Sequence, residues 1–238
     1  MILSNNLNPF PGQQQAVAVS EADVRSYLLS VFNLMAGGLV LTGLVAYAGV
    51  MSGIYQRLLG TPLIYLVIFA PLGLVFYLSA RIQQMSTAAA QVCYWTYAGL
   101  VGLSLGFVFL VYTGQSIMNV FFITAGMFGA MSLYGYTTRA DLSAWGSFLI
   151  MGLFGVIIAS VVNVFVHSSA LNWVVSVIGV IVFTGLTAYD VNKLKAFAAA
   201  NGPYGEMAEK GAIMGALSLY LDFINLFLML LRLIGNRR

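Results

Sequence analysis

A chain of 238 residues that is 61% hydrophobic and only 7% charged has too little charge to solvate a soluble domain, whose composition is usually about a quarter charged. With a mean hydropathy of +0.93 it reads as an all-α polytopic membrane protein, with one membrane domain filling almost the whole length. The net charge of +3 comes with no basic run, which points to anionic lipid headgroups rather than nucleic acid, and one Cys and one His argue against a disulfide or a protein-ligated zinc or haem.

Residues 1–26 are polar, with Pro9, Pro11 and a Gln13-Gln14-Gln15 run, and lack a signal peptide's basic, apolar and cleavage regions. They predict a short disordered cytoplasmic tail ahead of a seven-helix transmembrane domain over 27–238. Ser20 and Asp23 have the spacing of a capping box, which chance supplies about as readily.

Apolar windows then follow in series. The first crossing is predicted over Tyr27–Val50, and the second over Pro62–Ala80, bounded by Arg57 and Arg81. From Ile82 to Thr138 there is no charged residue, which is too long for one helix. Thr113-Gly114-Gln115-Ser116 is the natural turn, giving a third helix over Gln91–Tyr112 and a fourth over Ile117–Tyr136. The fifth is Leu142–Val166 and the sixth Leu171–Tyr189, separated at His167-Ser168-Ser169. Asp190–Lys210 follows as a polar connection broken by Asn201-Gly202-Pro203, and Gly211–Leu231 is the seventh span.

Lysine and arginine placement sets the orientation. With the N-terminus in the cytoplasm, that side holds Arg25, Arg81, Arg139, Lys193, Lys195 and Lys210, and before the seventh span the other side holds Arg57 alone. Arg232, Arg237 and Arg238 run against this rule if the seventh segment crosses fully. The alternative is a re-entrant hairpin, but the stretch between Gly215 and Gly235 has no Gly or Pro and favours a full crossing. Small residues at Gly49/Gly53, Gly102/Gly106, Gly126/Ala130 and Gly211/Gly215 read as helix-packing positions.

The chemistry centres on the seventh span. Asp222 is its one ionisable group, near the middle of 21 residues, and such a carboxylate costs roughly 2.5–3.5 kcal/mol on insertion scales. Asp190 is expected to end the sixth helix near the cytoplasmic surface. Asp222 lies about eleven residues into the seventh, roughly 16 Å deep. The two carboxylates meet only if Asp190 is drawn inward or a watery cavity reaches Asp222. If they meet, both cannot readily stay ionised and they share a proton, making a pH sensor and a transient oxygen site for a hard cation such as Ca²⁺. Arg81 is a candidate latch for Asp190, although by its residues alone it reads first as a snorkelling anchor. Asn225 shares the Asp222 face and is a candidate supporting polar group, whereas Tyr220 is not on that face. His167 and the aromatics Tyr134, Tyr136, Trp145 and Trp173 read as interfacial. HExxH, GxSxG, P-loop, GxGxxG and GxGD signatures are absent, so no enzyme is predicted and no cofactor is expected beyond Ca²⁺ as a permeant ion.

Three stretches resemble one family. Ala216–Phe227 (ALSLYLDFINLF), Val182–Asp190 (VFTGLTAYD) and Tyr136–Ser143 (YTTRADLS) are similar to motifs of the Bax-inhibitor-1 family, the transmembrane Bax-inhibitor-motif proteins, and most of all to its bacterial inner-membrane members. The resemblance extends from about residue 25 onward. It implies seven transmembrane helices with a central seventh wrapped by two three-helix layers. It also implies a pH-sensitive calcium leak in which the aspartates matching Asp190 and Asp222 share a proton, with an arginine of the second helix, here Arg81, contacting the first in the closed state. A glutamate that some members carry in the second helix has no counterpart in Pro62–Ala80. The expected activity is therefore a pH-gated cation leak in a bacterial inner membrane. The alternative is a binding modulator of a membrane-embedded quality-control protease working through the tail. An intramembrane aspartyl protease is a third, weaker reading.

Overall fold

A computed structural model describes residues 19–58 and 60–238. Eight α-helices follow one another: α1 (Glu21–Met51), α2 (Ile54–Leu58), α3 (Leu63–Arg81), α4 (Thr87–Val111), α5 (Gly114–Thr137), α6 (Ser143–Val166), α7 (Ser169–Asn201) and α8 (Glu206–Ile234). All except the short α2 are long and apolar enough to span a membrane, which gives seven spans. The spans run alternately up and down through short turns. The end where α1 begins, here the proximal end, also carries the α3–α4, α5–α6 and α7–α8 turns.

Local sequence sets the helix starts. The hydroxyl of Ser20 accepts from the Asp23 amide while the Asp23 carboxylate accepts from the Ser20 amide, a complete capping box. Ser86, Thr113 and Ser168 cap α4, α5 and α7 through their hydroxyls. At α6 the cap comes from one residue further back, where the Asp141 carboxylate accepts from the Ser143 amide at 2.9 Å. Hydrogen bonds from the Ser143 side chain and backbone hold the Asp141 carboxyl below the usual range.

Helix α8 is the axis of the bundle. In its most apolar 18-residue stretch 72% of the residues are buried, against 11% in the equivalent stretches of α3 and α6. It packs on α1, α4, α5 and α7. Helices α1, α3 and α4 form one layer and α5, α6 and α7 the other, as the resemblance implied. Helix α3 rests on α4 and makes few contacts elsewhere.

Close approach is bought with small residues at α1–α4, α5–α7 and α7–α8. A Cβ on Gly102 would sit 2.7 Å from the Thr42 carbonyl oxygen, one on Gly135 would meet the Ala188 carbonyl, and one on Gly215 would meet the Leu194 side chain. Gly126 faces open space, so the expected packing role of the Gly126/Ala130 pair is not seen there.

Several boundaries differ from expectation: α4 begins at Thr87 rather than Gln91, α8 begins at Glu206 rather than Gly211, and the short α2 falls in the connection expected before Pro62. Helix α1 begins at Glu21, so 21–26 are helical, and residues 1–18 of the expected tail lie outside the described residues. The α4–α5 turn is confined to Tyr112 and Thr113, because Thr113 caps α5 and Gly114–Ser116 already lie within it. The largest difference is α7, which continues twelve residues past Tyr189 to Asn201, leaving only 202–205 as the connection to α8. At 33 residues it is roughly 50 Å long, well beyond a 30 Å hydrocarbon core. Its polar end signals exposure to water rather than loss of helix.

The seventh span is unbroken from Glu206 to Ile234 and ends at the distal side. There the Thr113 amide donates to the Asn236 carbonyl at 3.1 Å, and the Arg238 amide to the Val111 carbonyl at 2.9 Å. The segment crosses fully and is not re-entrant.

Candidate functional site

Antiparallel packing of α7 on α8 decides where the two aspartates lie. Leu194 abuts Gly215, Phe197 abuts Gly211, and Gly179 abuts Met229. This register places Asp190 beside Ser218 and Asp222 about one helical turn, roughly 5 Å, farther toward the distal end. Asp190 is therefore interior to α7 rather than at its end, eleven residues before Asn201. The two carboxylates are within electrostatic reach of each other.

Their surroundings differ. Asp190 is half-buried and lines a cavity of about 260 Å³ between α1, α7 and α8, on the proximal side of the pair. Ser218 lies against its carboxylate and Lys193, three residues on in α7, supplies a positive charge beside it. Asp222 is buried, and its Oδ2 has no hydrogen-bond partner. Past Asp222, α8 continues with Phe223, Leu226, Phe227 and Leu230, all buried and apolar. The hydroxyls of Ser132 on α5 and Thr184 on α7 are likewise buried without partners.

A family profile described as "Inhibitor of apoptosis-promoting Bax1" matches residues 24–238. The chain belongs to the Bax-inhibitor-1 family. It is 46% identical to the inner membrane protein YbhL of Escherichia coli K12 over 98% of this chain and all of that one. It is 48% identical to a Rickettsia prowazekii protein over 90% of this chain and 91% of that one. A Caulobacter vibrioides protein is 43% identical over 92% and 91%. With the seven apolar helices, these likenesses support a multi-pass inner-membrane protein.

The other predicted residues are distributed as follows. Arg81 is exposed, and its Nη1 donates to Gln84 Oε1 at 2.7 Å, so the expected latch on Asp190 is not formed. The physical reason is position: Arg81 ends α3, which packs mainly on α4, whereas Asp190 faces α8. Asn225 donates to the Leu221 carbonyl of its own helix at 2.8 Å rather than to Asp222. His167 closes α6 in a left-handed conformation, φ 53°, and is exposed. Trp145, Trp173 and Tyr134 are exposed near helix ends, while Tyr136 lies under the Lys195 ammonium, 5.6 Å from its ring centre. Among the described residues no three His, Cys, Asp or Glu side chains converge.

Several residues of the site were not singled out by sequence. Ser218 stands one turn before Asp222, and Lys193 one turn after Asp190, a spacing that periodicity could have flagged. Lys210 is buried at the α8 start, donating to Glu206 at 2.8 Å and to the Gln83 carbonyl at 3.3 Å, and so ties α8 to the α3–α4 turn. No sequence signal distinguishes it from an ordinary loop lysine.

Proposed function

We propose that the protein is a pH-sensitive leak for Ca²⁺ or similar cations, gated by protonation of the Asp190/Asp222 pair. The observation that carries this reading is the pairing of two carboxylates on adjacent helices, one lining a cavity and the other buried one turn beyond with an oxygen lacking a donor. A buried carboxyl oxygen with no partner is costly, and its cost changes when a proton arrives or leaves. Hard cations prefer oxygen ligands, and the pair provides them in transit.

Beyond Asp222 the buried face of α8 is apolar and would have to part from its neighbours for an ion to pass. As pH falls and the pair takes up a proton, the negative charge that Asp190 presents to Ser218 of α8 is lost, and the α7–α8 contact there loosens. Helix α3, resting mainly on α4, is the span with least to hold it in place. The expected cytoplasmic N-terminus would make the cavity at Asp190 cytoplasmic.

The test is ⁴⁵Ca²⁺ flux into proteoliposomes across pH. Wild type should show flux that rises as pH falls, and Asp190→Asn and Asp222→Asn should each flatten that response. Equal pH dependence in all three proteins would sink the gate. Absence of flux at every pH in correctly folded wild type would favour the other reading, a binding modulator of a membrane quality-control protease.

A further inference from the structure

The distal end of the molecule holds positive charge without acidic side chains. Glu21, Asp23, Asp141, Glu206 and Glu209 sit at the proximal end, and Asp190 and Asp222 lie inside the bundle. Arg57, Arg232, Arg237 and Arg238 are at the distal end, and no Asp or Glu faces them there. Two of these arginines are gathered. Arg232 and Arg237 line a polar cavity of about 360 Å³ between α6, α7 and α8, together with Asn163, Asn172 and Ser160.

Its construction is specific. Residues 235–238 are fastened across the α4–α5 turn, with the Asn236 amide donating to Ser116 Oγ at 2.9 Å and the Arg238 amide to the Val111 carbonyl at 2.9 Å. This strap holds Arg237 over the cavity through backbone bonds, leaving its guanidinium unspent. Asn163 accepts the Ser168 amide through Oδ1 at 3.0 Å, so its own amide hydrogens remain available to a ligand. Asn172 stands in the first turns of the 33-residue α7 and lines the same cavity. The chemistry is that of oxyanion recognition: two guanidinium forks, two amide donors, and no carboxylate side chain to repel the ligand.

We propose that this distal cavity binds a phosphate group. Arg232 and Arg237 clamp its oxygens, and Asn163 and Asn172 complete the donor set. The cavity lies at the ends of membrane-spanning helices, where a phospholipid headgroup brings phosphate to that depth, and soluble phosphate offers the same chemistry.

The test is native mass spectrometry of the full chain in detergent, titrated with phosphatidylglycerol or phosphatidylcholine, beside thermal unfolding with and without inorganic phosphate. Wild type should hold phosphatidylglycerol about tenfold more tightly than an Arg232→Gln/Arg237→Gln variant, as expected for losing charge-assisted bonds. Arg57→Gln, at the same end but outside the cavity, should bind like wild type. Asn172→Leu keeps both charges and the strap, and should also weaken binding, so the proposal does not depend on one variant folding. If instead inorganic phosphate raises the unfolding temperature of wild type and not of the double variant, the site is real and filled from solution. Equal binding by wild type and the double variant in both assays, or an equal loss in Arg57→Gln, would overturn it.

Discussion

Tyr220 on α8 and Thr42 on α1 share a hydrogen bond, 2.6 Å between their oxygens, in the interior of the bundle. Thr42 Oγ1 also donates to the Ala98 carbonyl of α4 at 2.9 Å, which spends its one proton. Tyr220 must therefore be the donor to Thr42, and the chain of bonds joins α8 to α1 and α1 to α4. Tyr94 and Tyr97 stack edge-on against the Tyr220 ring and complete an aromatic-polar centre. Tyr220→Phe removes one donor and should cost about 0.5–1.5 kcal/mol, whereas Thr42→Val orphans the buried Tyr220 hydroxyl and should cost about 1–3 kcal/mol. The double variant should recover part of the Thr42→Val loss. Denaturant unfolding of all four proteins in micelles checks the cycle, and simple additivity would show that the bond carries no coupling.

Gly135 should be far less tolerant than Gly126. Alanine at 135 would press on the Ala188 backbone, with carbon atoms at 3.0 Å, and neither backbone can swing aside. Gly135→Ala should therefore push α5 from α7 and cost about 1–3 kcal/mol by overpacking. Gly126→Ala meets nothing within 4 Å and should be neutral or gain up to about 1 kcal/mol from helix propensity. Thermal unfolding of the two single variants distinguishes them.

The cavity at Asp190 makes an accessibility prediction. In a Cys93→Ser background, Ser218→Cys should react with a membrane-impermeant maleimide and Leu226→Cys should not, because Leu226 is fully buried. Labelling of Ser218→Cys in inverted membrane vesicles, and not in intact spheroplasts, is the result expected for a cytoplasmic N-terminus. The reverse pattern would invert the topology.

Lys210 should restrain the α3–α4 turn. Lys210→Met removes the bond to the Gln83 carbonyl while leaving the exposed Glu206 free to be solvated. Hydrogen exchange over 82–86 should quicken, with global stability changed by less than about 1 kcal/mol, since only one modest bond is lost without orphaning a buried charge. Unchanged exchange in that turn would show that packing on α4 alone fixes it.

Much of this molecule was legible in one dimension because the bilayer makes apolar length a direct signal. Seven spans, the Ser20–Asp23 cap, the Asn201-Gly202-Pro203 break and the unbroken seventh helix all followed from local pattern. So did the identification of Asp222 as the intramembrane acid. Hydropathy misplaced the end of α7, because it reports the solvent around a residue and not the hydrogen bonding of its backbone. A helix that leaves the membrane looks polar while remaining helical.

What only the tertiary structure decided is who meets whom. The α7–α8 register, set by glycines and by which side chains they admit, brings Asp190 to Ser218 and within one turn of Asp222. The same packing leaves Arg81 on Gln84, turns Asn225 back on its own helix, and buries Lys210 against the α3–α4 turn. Each of these depends on the rotation and depth of one helix against another. Those quantities arise from contacts between residues distant in the chain, and no local window contains them.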